Sequence, residues 1–212
     1  MTSTSLEAPS FFVDLQVNGK WLGGVHADFS GPELSEAQAR AIIEEALACG
    51  TVICPTTITQ DTAQHCRNLG TISRALASVG MSGRWQHVEG PFFRATPALG
   101  AHPEKHVKSA DIPLLERMIE SSGDTIALLT VGPDVKNICA LIEYAVEKGI
   151  VVSLGHHMAA PTQVDEAMAA GATWLTHLYN GIPLQVERQG ILDFELDSAL
   201  GAMLICDGTH VK

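Results

Sequence analysis

Positive charge is scarce in this sequence: 13 lysines and arginines stand against 24 aspartates and glutamates, a formal net charge of −11. That balance argues against a nucleic-acid partner, whose phosphates require a basic surface. It leaves a small anionic substrate open, because a few local donors decide that. No apolar run reaches the ~18–20 residues of a membrane span, so no membrane partner is expected. The opening residues Met1 to Glu7 lack the basic and apolar regions of a signal peptide. The cytoplasm is the expected compartment. The five cysteines, Cys49, Cys54, Cys66, Cys139 and Cys206, show no C-x-x-C spacing. They read as buried free thiols in a reducing environment. There is no internal sequence repeat.

What the chain has in quantity is apolar sequence, 46% of 212 residues, with a mean hydropathy of +0.15. That suffices for one large core. Residues 1–10 are polar and are expected to be loose; residues 11–212 form the domain. Phe11 to Gly19 reads as a first strand, followed by a glycine-rich loop. Ser35 and Gln38 form a capping box for a helix that runs through about Cys49 and stops at Gly50. Thr51 to Thr59 is a β-branched strand whose pairing is expected to end near Cys54, ahead of Pro55. Asp61 caps a helix to about Val79, and Arg84 to Glu89 is the next strand. A long loop from Gly90 to His106 follows, of the kind that is usually functional. The alternation continues with helix 112–121, strand 125–131, helix 134–148, strand 149–154, helix 161–170, strand 172–178, an irregular stretch 182–200 and strand 201–206.

Strand, helix, strand in unbroken series implies a parallel α/β sheet with right-handed crossovers. Polar residues at almost every strand's C-terminal end favour a (β/α)₈ TIM-type barrel over an open sheet. Only seven strands can be counted. The barrel is expected to be incomplete, its eighth strand missing, and the chain to be a fragment or truncated product of something longer.

The C-terminal strand ends of such a fold share one face, where ligands collect. Glu89 ends the third strand, His156 and His157 follow the fifth, and His177 follows the sixth. A lone histidine at a strand end is more often a structural group. Two imidazoles and a carboxylate on one face match a catalytic zinc site with an open position. Side chains alternate along a strand, so only one of His156 and His157 can point inward, and the pattern does not say which.

Seven segments in order resemble the N-acetylglucosamine-6-phosphate deacetylases of the amidohydrolase superfamily. They are Asp14 to Gly19, Pro55 to Thr59, His87 to Phe92, Gly100 to Pro103, Gly155-His156, Thr176 to Asn180 and Asp207 to Val211. The resemblance runs from about residue 13 to the last. It implies metal-dependent hydrolysis of the acetamide of N-acetylglucosamine 6-phosphate. It implies one divalent metal, zinc first and iron(II) or cobalt(II) as alternatives. The implied ligands are Glu89, His156 and His177, so that His156 rather than His157 aligns with the family's Gly-His. Ala101, His102, Asn180, Gly181, Arg188, Asp207 and His210 match substrate-contacting positions. Arg188 is like the guanidinium that grips the sugar phosphate, a role suited to a bidentate fork. Family members are often dimers, which makes a homodimer compatible.

Two departures stand out. Where many amidohydrolases carry His-x-His for a second metal, this chain has Gln16 and Asn18, which points to a single ion. The family's general base is an aspartate at the end of strand eight, expected beyond Lys212, and the small β-domain built from both termini is missing. Asp14 and Asp207 are weak substitutes for that base. Besides the deacetylase, two readings stay open: an inactive binding protein that keeps the pocket, and an amidohydrolase acting on another amide.

Overall fold

A computed structural model describes residues 12–22, 25–178, 180 and 198–210. Seven strands form one parallel sheet in the order β1-β4-β5-β6-β7-β8-β9. Their ranges are β1 Phe12–Val17, β4 Thr51–Ile58, β5 Gln86–Glu89, β6 Ile126–Val131, β7 Val151–Leu154, β8 Trp174–Leu175 and β9 Gly201–Ala202. Among the described residues five helices cross between them: α1 Glu36–Ala48, α2 Thr62–Ser78, α3 Ile112–Ser122, α4 Ile138–Glu147 and α5 Pro161–Ala169. The expected α/β architecture, an incomplete (β/α)₈ barrel, is what forms. Among the described residues, no helix is long and apolar enough to cross a membrane.

Local chemistry sets the helix starts. The Ser35 hydroxyl accepts the Gln38 N–H while the Gln38 side chain accepts the Ser35 N–H, the expected capping box. Asp61 accepts from Ala63 and Gln64 at the head of α2, and Asp111 from Leu114 at the head of α3. The helices lay their apolar faces on the sheet in two clusters. One joins α3, α4 and α5 to the middle strands through Leu115, Met118, Leu129, Leu141 and Val152. The other joins α1 and α2 to Ile53 and Phe29.

Several boundaries differ from expectation. The glycine-rich loop after the first strand contains a two-stranded antiparallel hairpin, β2 Gly19–Leu22 and β3 Val25–Asp28, with His26 opposite Trp21. Pro55 does not end its strand. β4 pairs with β1 as far as Val17↔Pro55 and with β5 from Thr56↔His87 onward, so the residue without an N–H sits where the strand changes partner. The Val17 N–H is taken by the Thr56 hydroxyl oxygen at 3.1 Å. Helix α4 starts at Ile138 and not near Asp134, because Asn137 holds a left-handed backbone (φ 61°) that a helix cannot contain. Strands β8 and β9 are two residues each, shorter than read from their apolar runs. Of the cysteines, which are all free, only Cys54 is buried; Cys49 and Cys206 are exposed.

Candidate metal centre

Glu89 is the last residue of β5. His156 lies just past β7 and His177 just past β8, and both take positive φ, 53° and 33°. A non-glycine residue there costs on the order of 1–2 kcal/mol. The turn swings each imidazole off its strand and over the sheet's C-terminal end.

The three side chains meet. Glu89 Oε1 lies 3.1 Å from His156 Nε2 and 2.9 Å from His177 Nε2, and the two Nε2 atoms are 3.0 Å apart. All three residues are buried, with 3–6% exposure. Donor atoms around one tetrahedral ion at ~2.0–2.2 Å stand roughly 3.3–3.6 Å apart, so this trio needs only a small expansion to take one. Second, the His156 Nδ1–H donates to the Ala98 carbonyl at 3.0 Å, which turns its Nε2 towards the cluster, as second-sphere support for a ligand imidazole does. His177 differs: its Nδ1 is buried and has no partner among the described residues, so no outer-sphere group orients that ring. Burial alone raises the Glu89 pKa, but hydrogen bonds and charge from His156 and His177 outweigh it and hold the carboxyl well below its usual range. It is a carboxylate, as a ligand must be. The donor set fits a divalent metal.

His102 joins the cluster's edge. Its Nε2 lies 3.8 Å from Glu89 Oε2, and Glu89, His102 and His156 offer atoms within 4.8 Å of one another, so His102 is a geometric rival to His177 as a ligand. Its hydrogen bonds favour another part. His102 Nδ1 accepts the Thr59 N–H at 3.3 Å and contacts its hydroxyl at 2.9 Å. The neutral ring therefore carries its proton on Nε2 and is a donor towards the site. Burial pushes the His102 pKa down to about 4, with Glu89 opposing, so the ring is neutral near pH 7. Phe93 packs on His102 and His156, with ring centroids 4.8 and 5.2 Å away.

A cavity of about 530 Å³ opens over the trio. Ala101, His102 and Asn180 line it, as do Gln16 and Asn18. Asp28 also reaches the wall. Sequence reasoning missed it because it sits on the unforeseen hairpin. Gly181 and Arg188 lie outside the described residues. Asp207 and His210 form an exposed pair, His210 Nδ1 to Asp207 Oδ2 at 2.8 Å. Asp207 and Asp14 line a different cleft, of about 780 Å³, between β1 and β9, and His177 stands in the wall of both spaces. His157 is buried beside the cluster, its Nδ1 accepting the Ala159 N–H. A larger cavity of about 810 Å³ lies beyond Phe93 among Arg94, Asp134 and Lys136 and holds none of the candidate residues.

No protein-family model matches the chain. Known proteins do. The N-acetylglucosamine-6-phosphate deacetylase of Caenorhabditis elegans is 34% identical over 216 residues, 94% of this chain and 50% of that protein. That of Homo sapiens is 30% identical over 215 residues, 95% of this chain and 51% of that protein. The chain belongs to the N-acetylglucosamine-6-phosphate deacetylase family. A solved structure agrees: the deacetylase of Mycobacterium smegmatis, as an aspartate-to-alanine variant in complex with N-acetyl-D-glucosamine 6-phosphate, superposes with a TM-score of 0.81 at 26% identity. That superposition covers 95% of this chain and 51% of the other. The chain spans about half the length of the curated deacetylases it matches.

Proposed function

We propose that the chain carries the metal centre of an enzyme that hydrolyses the acetamide of N-acetylglucosamine 6-phosphate to acetate and glucosamine 6-phosphate, in cytoplasmic amino-sugar breakdown. The convergence of Glu89, His156 and His177 on one point carries this reading. One divalent metal is held by these three, zinc first among zinc, iron(II) and cobalt(II). Such a metal, when bound, lowers the pKa of a water and polarises a carbonyl.

The chain's own residues do the rest. The ionised Glu89 and the Nε2 of His156, turned inward by the bond from Nδ1 to Ala98, keep the donor set in place. The Nε2–H of His102 is aimed to donate to a carbonyl or hydroxyl oxygen of the sugar. Ala101 and Asn180 form the wall against which the sugar orients. Arg188 takes the 6-phosphate, with Gly181, Asp207 and His210 as further substrate contacts.

The general base is assigned to an aspartate beyond Lys212. Asp14 is engaged by the Gln16 N–H and Asp207 by Thr209 and His210, and neither lines the metal cavity. General acid–base help is worth typically ~10²–10⁴-fold, so residues 1–212 alone should bind better than they turn over. The Mycobacterium smegmatis complex supports this, since that protein was solved with the sugar phosphate bound after an aspartate had been replaced. The same observation keeps a second reading in view, a binding protein without turnover. The test is acetate release by the zinc-loaded 212-residue chain, with calorimetric binding of glucosamine 6-phosphate. Binding with acetate release at least ~100-fold below a full-length relative is expected. Turnover at a relative's rate, abolished by Glu89→Ala, would place the base within these residues.

A further inference from the structure

A chain of hydrogen bonds runs through the barrel interior beneath the metal cluster. His87 Nδ1 lies 3.0 Å from the Leu15 carbonyl oxygen on β1, and its Nε2 lies 2.7 Å from Thr130 Oγ1 on β6. Thr130 Oγ1 lies 2.8 Å from Thr176 Oγ1, which lies 2.6 Å from Ser153 Oγ on β7. All four side chains are buried, three of them with no exposure at all.

The members sit next to the candidate ligands in sequence. His87 is two residues before Glu89, on the same face of β5. Thr176 precedes His177, and Ser153 lies three residues before His156. The one group drawn from β1 comes from the place where its register against β4 slips, between Asp14 and Val17.

A carbonyl oxygen only accepts, so His87 donates from Nδ1 to Leu15. From its Nε2 each hydroxyl passes one hydrogen bond to the next, through Thr130 and Thr176 to Ser153.

We propose that this ordered chain is a positioning device for the metal centre: Thr130, Thr176 and Ser153, aligned from the Leu15 carbonyl through His87, lock together the strand ends that present Glu89, His156 and His177. The inference rests on the reading of that trio as a metal site. It makes Thr176 and its partners positioning residues, acting on the metal only through the ligands. Buried networks of this kind specify one arrangement when every member is satisfied, and outer-sphere partners are worth ~10–100-fold in metal affinity.

Two measurements on the 212-residue chain test it. Long-range proton–nitrogen correlation spectra of the unaltered chain should show His87 protonated at Nδ1, the nitrogen that faces the Leu15 carbonyl. A bare Nδ1 would break the chain at its first link and overturn the proposal. Zinc affinity, read by competition with a chromophoric chelator, should fall ~10-fold or more in Thr176→Val and return to near the original in Thr176→Ser, which restores only the hydroxyl. Unchanged affinity in Thr176→Val, or no rescue in Thr176→Ser, would overturn the positioning role. Should Thr176→Val fail to fold, Ser153→Ala carries the test, with weakened zinc binding expected and unchanged binding counting against it. Loss of zinc in His177→Ala shows that the metal reading holds. Zinc retained in that variant sinks the metal reading alone and leaves the tautomer result standing.

Discussion

Glu89 Oε1 lies 2.9 Å from His177 Nε2, although 88 positions separate them in the chain. The same oxygen meets His156 at 3.1 Å. A buried carboxylate oxygen shared by two imidazole nitrogens is a cluster waiting for a common positive charge. Elemental analysis after zinc loading should find about one metal per chain. His177→Ala should lose nearly all of it, and His157→Ala should keep it, since that Nδ1 is occupied by the Ala159 N–H. Full occupancy in the first variant, or loss only in the second, would reassign the ligands.

His102→Ala separates ligand from substrate contact. With Nδ1 taken by Thr59, the ring offers a donor and no lone pair to the site. Zinc binding should be preserved. Affinity for glucosamine 6-phosphate should fall by about 1–3 kcal/mol, roughly 5- to 150-fold, the worth of one buried hydrogen bond. Chelator competition and calorimetry read the two effects independently, and loss of zinc would make His102 a ligand after all.

Gly90 follows Glu89 at φ +80°, and a Cβ there would collide with Thr59 Oγ1 and lie 2.7 Å from Phe93 Cε2. Both neighbours are buried, so neither can yield cheaply. Gly90→Ala should destabilise by about 1–3 kcal/mol or more and weaken zinc, because Glu89 must move with its neighbour. Gly83→Ala is the control. It also has positive φ, but nothing lies within 4 Å of its Cβ, and zinc affinity should not change. Denaturant midpoints and zinc titrations of both variants check this.

Acid should unfold the chain early. His65 is buried against Thr57, and burial pushes its pKa down to about 3. Burial pushes His87 down to about 4, with Glu89 opposing. Both lie below the unfolded value of ~6.5, so the unfolded chain takes the proton first. Stability is then full above ~6.5 and falls as pH drops towards the folded pKa, by about 1.4 kcal/mol per pH unit for each histidine. Glu89 acts in a lower window, because its carboxyl is held below the usual range. Its contribution is present above the unfolded carboxyl value of 4.5 and is lost only as pH falls from there. Urea midpoints should decline between pH 7 and 5, less steeply in His65→Gln. A flat profile would mean these histidines are charged or exposed.

Arg188 lies outside the described residues, and its role is argued from its place in the segment after Asn180. Arg188→Ala should weaken binding of glucosamine 6-phosphate far more than that of unphosphorylated glucosamine. Equal effects on the two ligands, read by calorimetry, would remove it from the phosphate site.

Strand and helix order was legible because each element announces itself locally. The β-branched run of Thr51–Ile58, the Ser35–Gln38 box and the Asp111 cap are decided by residues within a turn of one another. The misreadings occurred where distant partners override local preference. Pro55 stays in its strand because β1 has finished pairing there and β5 has begun. The hairpin β2–β3 forms although glycines suggested a loop. The seventh strand's apolar run pairs only over Gly201–Ala202 because β8 offers just Trp174 and Leu175.

The candidate site divides the same way. Residue identity and place at strand ends made Glu89, His156, His157 and His177 ligand candidates, and the family resemblance chose His156 over His157. Whether they touch was decided by the curl of the parallel sheet, which brings the ends of β5, β7 and β8 to one point. Tertiary contacts also set the part each ring plays. The Ala98 carbonyl turned the Nε2 of His156 towards the cluster, and the Thr59 N–H made His102 a proton donor. Two identical imidazoles in sequence thus take different parts. A histidine's tautomer is set by the one partner on its far nitrogen, and that partner is 58 residues away in one case and 43 in the other.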